Sequence, residues 1–522
     1  MVGDPIPLGR RAILAAHALG RYSRRQTFAA CMTDTASTVR FVLDDAVVEI
    51  HNPPPTESLL QCLRERLGRH GVKEGCAEGD CGACTVVLGE SQGDRIDYRA
   101  VNACIRMLPT VDGREVITAE SLARPDGPLH PVQQAMVDCH GSQCGFCTPG
   151  FVMSLFALWL GRPDADRDEV LDALSGNLCR CTGYRPIIDA GLLMNRLPEP
   201  TDTWSRADSQ ASDRRERLTA ISRNESLKIT SGAGFTAPRS LDELAAVLEA
   251  QPQSLVLAGG TDVGLWVTKQ LRELPPVVYI GEVPELRTMS VDDQGARVIG
   301  AAVPLIDAFA AIVRDWPELQ ELAQRFASPP VCNSGTLCGN IANGSPIGDS
   351  MPVLLALGAE LDLRCGTRHR RVPLDGFYLG YRRNALQPGE FVAAVRIPAR
   401  KPGDSLAAWK VSKRWDQDIS AICAAIWLHE TVDGVVSARI GFGGMAATPM
   451  RARHAETALV GNALDQAATE AAVRALNDDF SPLSDMRASA GYRLKVAGNL
   501  LRRLYLARHQ PDLALRIDQV SA

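Results

Sequence analysis

Eight cysteines of this chain fall into two quartets. Cys76, Cys81 and Cys84 lie in CAEGDCGAC, and Cys104 follows after a short gap. Cys144 and Cys147 lie in QCGFCTPG, and Cys179 and Cys181 in NLCRCTGYR. The first quartet reads C-x4-C-x2-C…C, the spacing of a plant-type [2Fe–2S] cluster. Thiolates are soft, polarizable ligands suited to iron–sulfur ligation, and four of them complete two tetrahedral irons. Two such clusters would make the chain an electron carrier.

Two structural zinc ions are the competing reading of two all-cysteine quartets. The x4 interval argues against zinc, because a ribbon more often shows two matched C-x2-C pairs. Gly75, Gly79 and Gly82 point the same way, since bare backbone lets a tight loop turn its amides toward cluster sulfur. The second quartet, C-x2-C…C-x-C, is no general signature. Disulfides are the remaining alternative, and the chain does not look like a small stapled secreted domain.

The elements that must hold these loops are legible in outline. Val39, Phe41 and Leu43 alternate, Asp44-Asp45 marks a turn, and Val47 to Ile50 reads as the return strand. Thr56 is the expected N-cap of a helix with an apolar stripe of Leu59, Leu60, Leu63 and Leu67, ended by Gly68 or Gly71. Strands are expected at Thr85 to Leu88 and near Tyr98. Residues 116–196 read as four helices, with Pro131 and Pro149 at first positions, a third helix from Asp166 to Leu174, and a fourth from near Pro186. Two stacked helix–loop–helix units would bring the later cysteine pairs to one end. Residues 197–226 are polar and read as a flexible linker.

Beyond residue 227 the chain turns apolar again. SLVLAGGTDVG (254–264) is a buried strand running into a glycine turn, and ASPPVCNSGTLCGNIANGSPIGD (327–349) is a second Gly/Asn/Ser-rich loop. Such loops present bare amides to phosphate oxygens. Neither matches a dinucleotide or P-loop fingerprint, and each alone reads as an ordinary turn. Two in one domain, downstream of two one-electron carriers, favour a flavin. Further strands are expected at Ala421 to Leu428 and Val435 to Phe442, with helices at 453–461, 466–477 and 485–505.

The 522 residues carry 56 Lys and Arg against 61 Asp and Glu, a formal net charge of −5. That balance gives no electrostatic case for nucleic acid or an anionic membrane. The longest apolar run, Phe151 to Leu160, is too short to span a bilayer, and a cytoplasmic chain is expected. Residues 1–36 hold Arg10, Arg11, Arg21, Arg24 and Arg25. They read as a disordered extension, with an organelle transit peptide or a true start at Met32 as alternatives. The other cysteines, at 31, 62, 139, 332, 338, 365 and 423, read as small buried hydrophobes.

Together, CAEGDCGAC, QCGFCTPG and GNLCRCTGYRP resemble the iron–sulfur region of the molybdenum hydroxylases. LAGGTDVG and SGTLCGNIANGSPIGD resemble the FAD domain of that family, specifically the small subunit of the bacterial xanthine dehydrogenase type. The resemblance implies a multidomain α+β fold. A plant-type ferredoxin-like β-grasp domain would occupy 37–115 and a four-helix [2Fe–2S] domain 116–196. A linker at 197–226 would lead to a two-part α/β FAD-binding domain at 227–402 and a C-terminal α+β domain at 403–518. It implies a molybdopterin-binding large subunit as partner in an α2β2 assembly, with substrate chemistry there and no catalytic residue here. Electrons from hypoxanthine or xanthine would pass through both clusters to FAD and then to NAD+.

By the same resemblance, Gln143 lies beside the cluster nearer molybdenum and touches the pterin. FAD is held by Val256, Leu257, Ala258, Gly259, Gly260, Thr261, Asp262 and Val263, with Phe326, Thr336, Gly339, Asn340, Asp349, Val392 and Lys410. Phe326 would stack beside the isoalloxazine, and Tyr381 and Arg382 would meet the nicotinamide. Cys338, Cys332 and Gln417 depart from the family pattern. An aldehyde or N-heterocycle hydroxylase is the alternative within the family, and a non-catalytic iron–sulfur sensor the alternative outside it. Without the resemblance, Phe326 reads as a core aromatic, Lys410 and Arg382 as solvated charges, Tyr381 as core or interface anchor, and Asp349 as a turn cap.

Overall fold

Asp44 and Asp45 both take positive φ, 50° and 65°, and turn β1 (Thr38–Leu43) back into β2 (Ala46–His51). Aspartate tolerates this region because its short side chain bonds locally. The computed structural model describes residues 35–124, 126–200, 204–206 and 211–515. In it these strands join β3 (Thr85–Gln92), β4 (Arg95–Asn102) and β5 (Glu115–Ile117) in the order β2-β1-β5-β3-β4. β1 and β5 run parallel and the other pairs antiparallel. The central β5 was not expected: three buried residues are too few to display a period.

The helix that crosses this sheet begins at Leu59, and its cap is Ser58 rather than Thr56. Ser58 Oγ accepts the Gln61 amide at 3.1 Å, and Gln61 Oε1 accepts the Ser58 amide at 2.9 Å, a reciprocal capping box. Leu59, Leu60 and Leu63 are buried, and Gly68 at φ 67° follows the last turn.

Four helices follow, Pro131–Asp138, Thr148–Gly161, Arg167–Leu174 and Arg185–Leu193. They enclose a core around Phe151, Phe156, Trp159, Val170 and Ile187. The expected flexible tether at 197–226 instead contains a helix, Ala211–Ile221. Its polar composition hides Leu218 and Ile221, one turn apart and buried against Val42. The Arg214 guanidinium also lies 3.6 Å over the buried Trp204 ring.

The next segment has two sheets. β6 (Leu227–Ile229), β7 (Phe235–Ala237), β8 (Leu255–Leu257) and β9 (Val277–Tyr279) pair as β6-β7-β9-β8. β10 (Met289–Val291), β11 (Arg297–Gly300), β12 (Glu360–Cys365) and β13 (Arg368–Pro373) join β16 (Phe391–Ile397) as β10-β11-β16-β12-β13. The hairpin β14 (Tyr378–Gly380) and β15 (Arg383–Asn384) projects between them in sequence.

A last sheet, β17 (Asp404–Val411), β18 (Ile422–Thr431), β19 (Gly434–Gly443) and β20 (Met450–Arg451), packs with helices Arg453–Leu459, Gln466–Asp479 and Ala490–His509. Two of its strands and its three helices match expectation, and β17 and β20 were missed. Phe41, Val39 and Leu60 share one core with Ile229, Phe235 and Val277, so the first sheet is welded to the β6–β9 sheet. Among the described residues, no helix is long and apolar enough to cross a membrane. The expectation of an N-terminal extension, with Cys31, falls outside the described residues.

Candidate functional site

The Gly75–Cys84 loop wraps its sulfurs together. The amides of Glu78, Asp80 and Cys81 point at Cys76 Sγ, at 3.4, 3.4 and 3.3 Å. Gly79 and Gly82 make this possible at φ 81° and 69°. Cys76 lies in hydrogen-bonding reach of Cys104 and Cys81, which with these amides pulls its thiol well below the ordinary value against the effect of burial. Cys84 bonds Cys104 and is lowered too. All eight quartet cysteines are free thiols, so the disulfide alternative is absent from the structure.

Beside the first quartet the Asn102 carboxamide is buried, and its side chain reaches the Cys84 thiol and helps to lower it. A buried amide beside the Cys84 thiol fits a group that carries acceptor sulfide.

The second quartet forms at one end of the four helices, as the stacking argument required. Cys144 pairs with Cys181, and Cys147 with Cys179. The amides of Cys181 and Thr182 reach Cys179 Sγ at 3.4 Å each, and the Thr182 hydroxyl lies 3.2 Å from it. The Tyr184 hydroxyl accepts the Cys179 amide at 3.0 Å. Cys144, Cys181 and Gln143 are exposed, so this quartet opens to the surface.

The two cysteine loops touch through one side-chain and one backbone hydrogen bond. Asn177 Nδ2 donates to the Gly82 carbonyl at 3.3 Å, and the Leu178 amide to the Cys81 carbonyl at 3.0 Å. A Cβ on Gly82 would lie 3.0 Å from Asn177 Cα, and one on Gly150 would lie 3.2 Å from Ala83 Cα. The glycines at these positions therefore set how closely the loops approach. On its other side the first loop meets the SLVLAGGTDVG turn. Thr268 Oγ1 donates to the Ala77 carbonyl at 2.6 Å, and Gly264 packs on Ile105, the neighbour of Cys104.

That turn lines a cavity of about 420 Å³. Val256 to Val263 form one wall, with Phe326, Thr336, Gly339, Asn340 and Val392 around the rest. A Cβ on Gly259 would come within 2.6 Å of Gly335 Cα, so the two glycine-rich loops approach as only bare backbone allows. Thr336 Oγ1 caps the helix Leu337–Asn343 by accepting the Gly339 amide at 3.0 Å. Burial raises the Asp262 carboxyl, with the Trp266 indole opposing. A mainly apolar cavity walled by two glycine-rich loops fits a flavin dinucleotide.

Lys410 and Asp349 lie behind the cavity wall, and Arg382 and Tyr381 lie at the β14–β15 hairpin beside it. Lys410 and Asp349 form a buried ion pair at 2.9 Å behind Phe326. Lys410 Nζ also donates to the Phe326 carbonyl at 3.4 Å, and Ser420 Oγ to Asp349 Oδ1 at 2.6 Å. They brace the cavity wall and do not line it. Arg382 lines an adjoining space of about 260 Å³ that shares Asp262, Trp266, Ala342 and Asn343 with the main cavity. Tyr381 is exposed at the hairpin tip, with the Arg382 guanidinium 5.3 Å over its ring.

Cys338 turns its thiol toward the Ile299 carbonyl, and Cys332 toward that of Ala327. Burial pushes both up to about 12, which agrees with inert packing roles. Gln417 donates through Nε2 to Ser175, tying the last sheet's domain to the four-helix domain.

Family models match four stretches in this order: a 2Fe-2S iron–sulfur cluster binding domain at 41–108, a [2Fe-2S] binding domain at 118–192, an FAD binding domain in molybdopterin dehydrogenase at 228–400, and a CO dehydrogenase flavoprotein C-terminal domain at 407–507. The chain belongs to the molybdenum hydroxylases, as their iron–sulfur and FAD-binding part. This molybdenum hydroxylase chain binds two [2Fe–2S] clusters and FAD.

It is 32% identical over 525 residues to xanthine dehydrogenase of Emericella nidulans, covering 90% of this chain and 38% of that protein. Its similarity to the Drosophila pseudoobscura pseudoobscura enzyme is the same, 32% over 529 residues, covering 91% and 39%. The chain thus spans well under half the length of these relatives. Carbon monoxide dehydrogenase from Hydrogenophaga pseudoflava matches 52% of the chain and 94% of its own, at 31% identity and a TM-score of 0.49. Quinoline 2-oxidoreductase from Pseudomonas putida 86 matches 53% and 97%, at 25% identity and a TM-score of 0.48. Sequence reasoning did not find Asn102, Ile105, Asn177, Tyr184 or Trp266. Their neighbours in the motifs (NAC, GNLC, TGY) were the available signal.

Proposed function

We propose that this chain is the electron-transfer part of a xanthine dehydrogenase, taking electrons from a molybdenum centre on a partner subunit and delivering them to NAD+ during purine oxidation. The observation that carries this reading is a contiguous order of contacts. An open quartet at the surface packs on a closed quartet, which packs on the flavin cavity. When bound, the clusters carry single electrons and FAD converts them to a two-electron transfer.

The residues of the chain fix where this happens. Cys144, Cys147, Cys179 and Cys181 hold the cluster at the exposed end, and Gln143 faces the partner there. Cys76, Cys81, Cys84 and Cys104 hold the inner cluster behind Asn177 and Ile105. Val256 to Val263, Thr336, Gly339 and Asn340 cradle the dinucleotide, and Phe326 and Val392 shield its ring. Arg382 and Tyr381, at the rim of the adjoining space, receive the nicotinamide nucleotide. The names of the curated relatives favour xanthine over an aldehyde or N-heterocycle as the partner's substrate, and the flavin cavity disfavours a simple iron–sulfur sensor. Eight unpaired thiols suit the reducing cytoplasm, with an α2β2 assembly as the proposed stoichiometry.

Anaerobic titration of the purified chain with NADH tests the outlet. Flavin bleaching followed by two cluster EPR signals is expected. Co-purification with a molybdenum-containing partner that forms NADH from hypoxanthine tests the inlet. An inert flavin toward NADH would refute the NAD+ assignment, and a partner active only on aldehydes would refute the substrate.

A further inference from the structure

A second cavity, of about 370 Å³, lies between β3 and β4 of the ferredoxin-like sheet and the FAD-binding domain. Ala258, Gly259 and Thr336 line both it and the flavin cavity and so form the wall between them. Five arginines line it, at 95, 99, 106, 114 and 287, against three carboxylates, Glu90, Asp97 and Asp307.

Those carboxylates are already engaged. Arg287 holds both Glu90 oxygens at 2.6 and 2.7 Å, and Arg114 adds a third contact at 3.1 Å. Although burial acts to raise it, these guanidinia pull the Glu90 carboxyl down to about 2. Arg99 takes Asp97 at 2.7 Å and Asp307 at 2.8 and 3.2 Å.

Among the described residues, two of these guanidinia have no carboxylate in contact. Arg106 is 9% exposed, its Nε has no hydrogen-bond partner among the described residues, and its Nη2 donates to the Thr110 carbonyl at 3.2 Å. Arg95 is exposed at the cavity and pairs with no acid among the described residues. Glu90 and Glu282 act on Arg106 only at a distance, and a buried guanidinium with no carboxylate in contact is costly. The planar fork of arginine matches phosphate oxygens in bidentate fashion, and several forks converging on one space suit more than one oxygen pair.

We propose that this cavity binds an oxyanion of the phosphate class, with Arg106 at its floor and Arg95 at its mouth, separate from the FAD cavity. The volume exceeds that of a single phosphate and suits a pyrophosphate or a small phosphate ester. The anion would rest against the back of the loop that holds the flavin.

Calorimetric titration of the full chain, loaded with clusters and FAD, with magnesium-free pyrophosphate at low salt tests this. One saturable site per chain is expected, with affinity falling steeply as salt rises. Arg106→Gln should weaken it about tenfold or more, as expected when a charge-assisted bond is lost. Arg95→Ala should weaken it about threefold at unchanged FAD content, a surface charge being worth less than a buried one. If Arg106→Gln does not fold, Arg95→Ala carries the test. No saturation in the FAD-loaded protein, equal affinity in the folded variants, or release of FAD in step with binding would overturn the proposal.

Discussion

Replacing Lys410 with methionine tests whether the residue braces the flavin cavity from behind. The Lys410 side chain is 2% exposed, and its Nζ lies 2.9 Å from Asp349 Oδ2, itself buried. Methionine keeps the volume and removes the charge. Among the described residues, Asp349 would retain the Ser420 hydroxyl on its other oxygen and the Cys423 thiol on its backbone carbonyl. Stranding one member of a buried pair costs ~3–5 kcal/mol, because the remaining charge stays desolvated. The Phe326 carbonyl also loses its donor, so the wall of the flavin cavity loosens first. Lys410→Met should therefore lower the urea midpoint for flavin release by on the order of 1–3 M, given common denaturant slopes. The double variant Lys410→Met with Asp349→Asn should recover at least about 2 kcal/mol of that loss, since the coupling belongs to the pair. Flavin release at the wild-type midpoint in Lys410→Met, or a double variant no better than the single, would refute the bracing role.

Three other outcomes follow from the geometry. A Cβ at position 264 would lie 2.7 Å from the Ile105 carbonyl and 2.8 Å from its Cβ, against an ordinary contact of 3.4 Å or more. Gly264→Val should cost ~1–3 kcal/mol by overpacking, more than the partial gain in helix propensity, and slow cluster-to-flavin electron transfer measured by flash photolysis. Gly491→Val, with open space around it, is the control.

Burial pushes Glu115 up to about 7 from 4.5, against the opposing pull of Arg214 and the Tyr98 hydroxyl. In that window the folded state holds a proton that the unfolded state has lost. Stability therefore falls as pH rises from about 4.5 to 7, by ~3 kcal/mol, and Glu115→Gln should flatten that slope in denaturation profiles.

Leu218→Ala should cost ~2–5 kcal/mol locally and speed amide exchange at Val42, because the Ala211–Ile221 helix is packed on β1. Unchanged exchange would return that segment to the status of a loose tether.

The cysteine loops were legible because their ligands are local in sequence and demand fixed residue types. The four helices were legible because proline and aspartate mark their starts. What the sequence hid was held by long-range pairing. β5 is three residues wide and owes its place to β1 and β3 on either side. The Ala211–Ile221 helix is polar on most of its surface and is fixed by two leucine-sized contacts and a stacked arginine. Lys410 and Asp349 are 61 residues apart, and nothing local distinguishes a buried pair from two surface charges. Asn102 and Ile105 flank Cys104, yet their roles depend on loops that arrive from elsewhere in the chain.

The most direct measurement is iron, acid-labile sulfide, zinc and flavin content of the chain isolated without oxygen. Two two-iron clusters and one dinucleotide require about four irons, about four sulfides and one FAD per chain, with two distinguishable EPR signals on reduction. Two zinc ions in place of iron, or cystine at any of the eight quartet positions, would contradict the account.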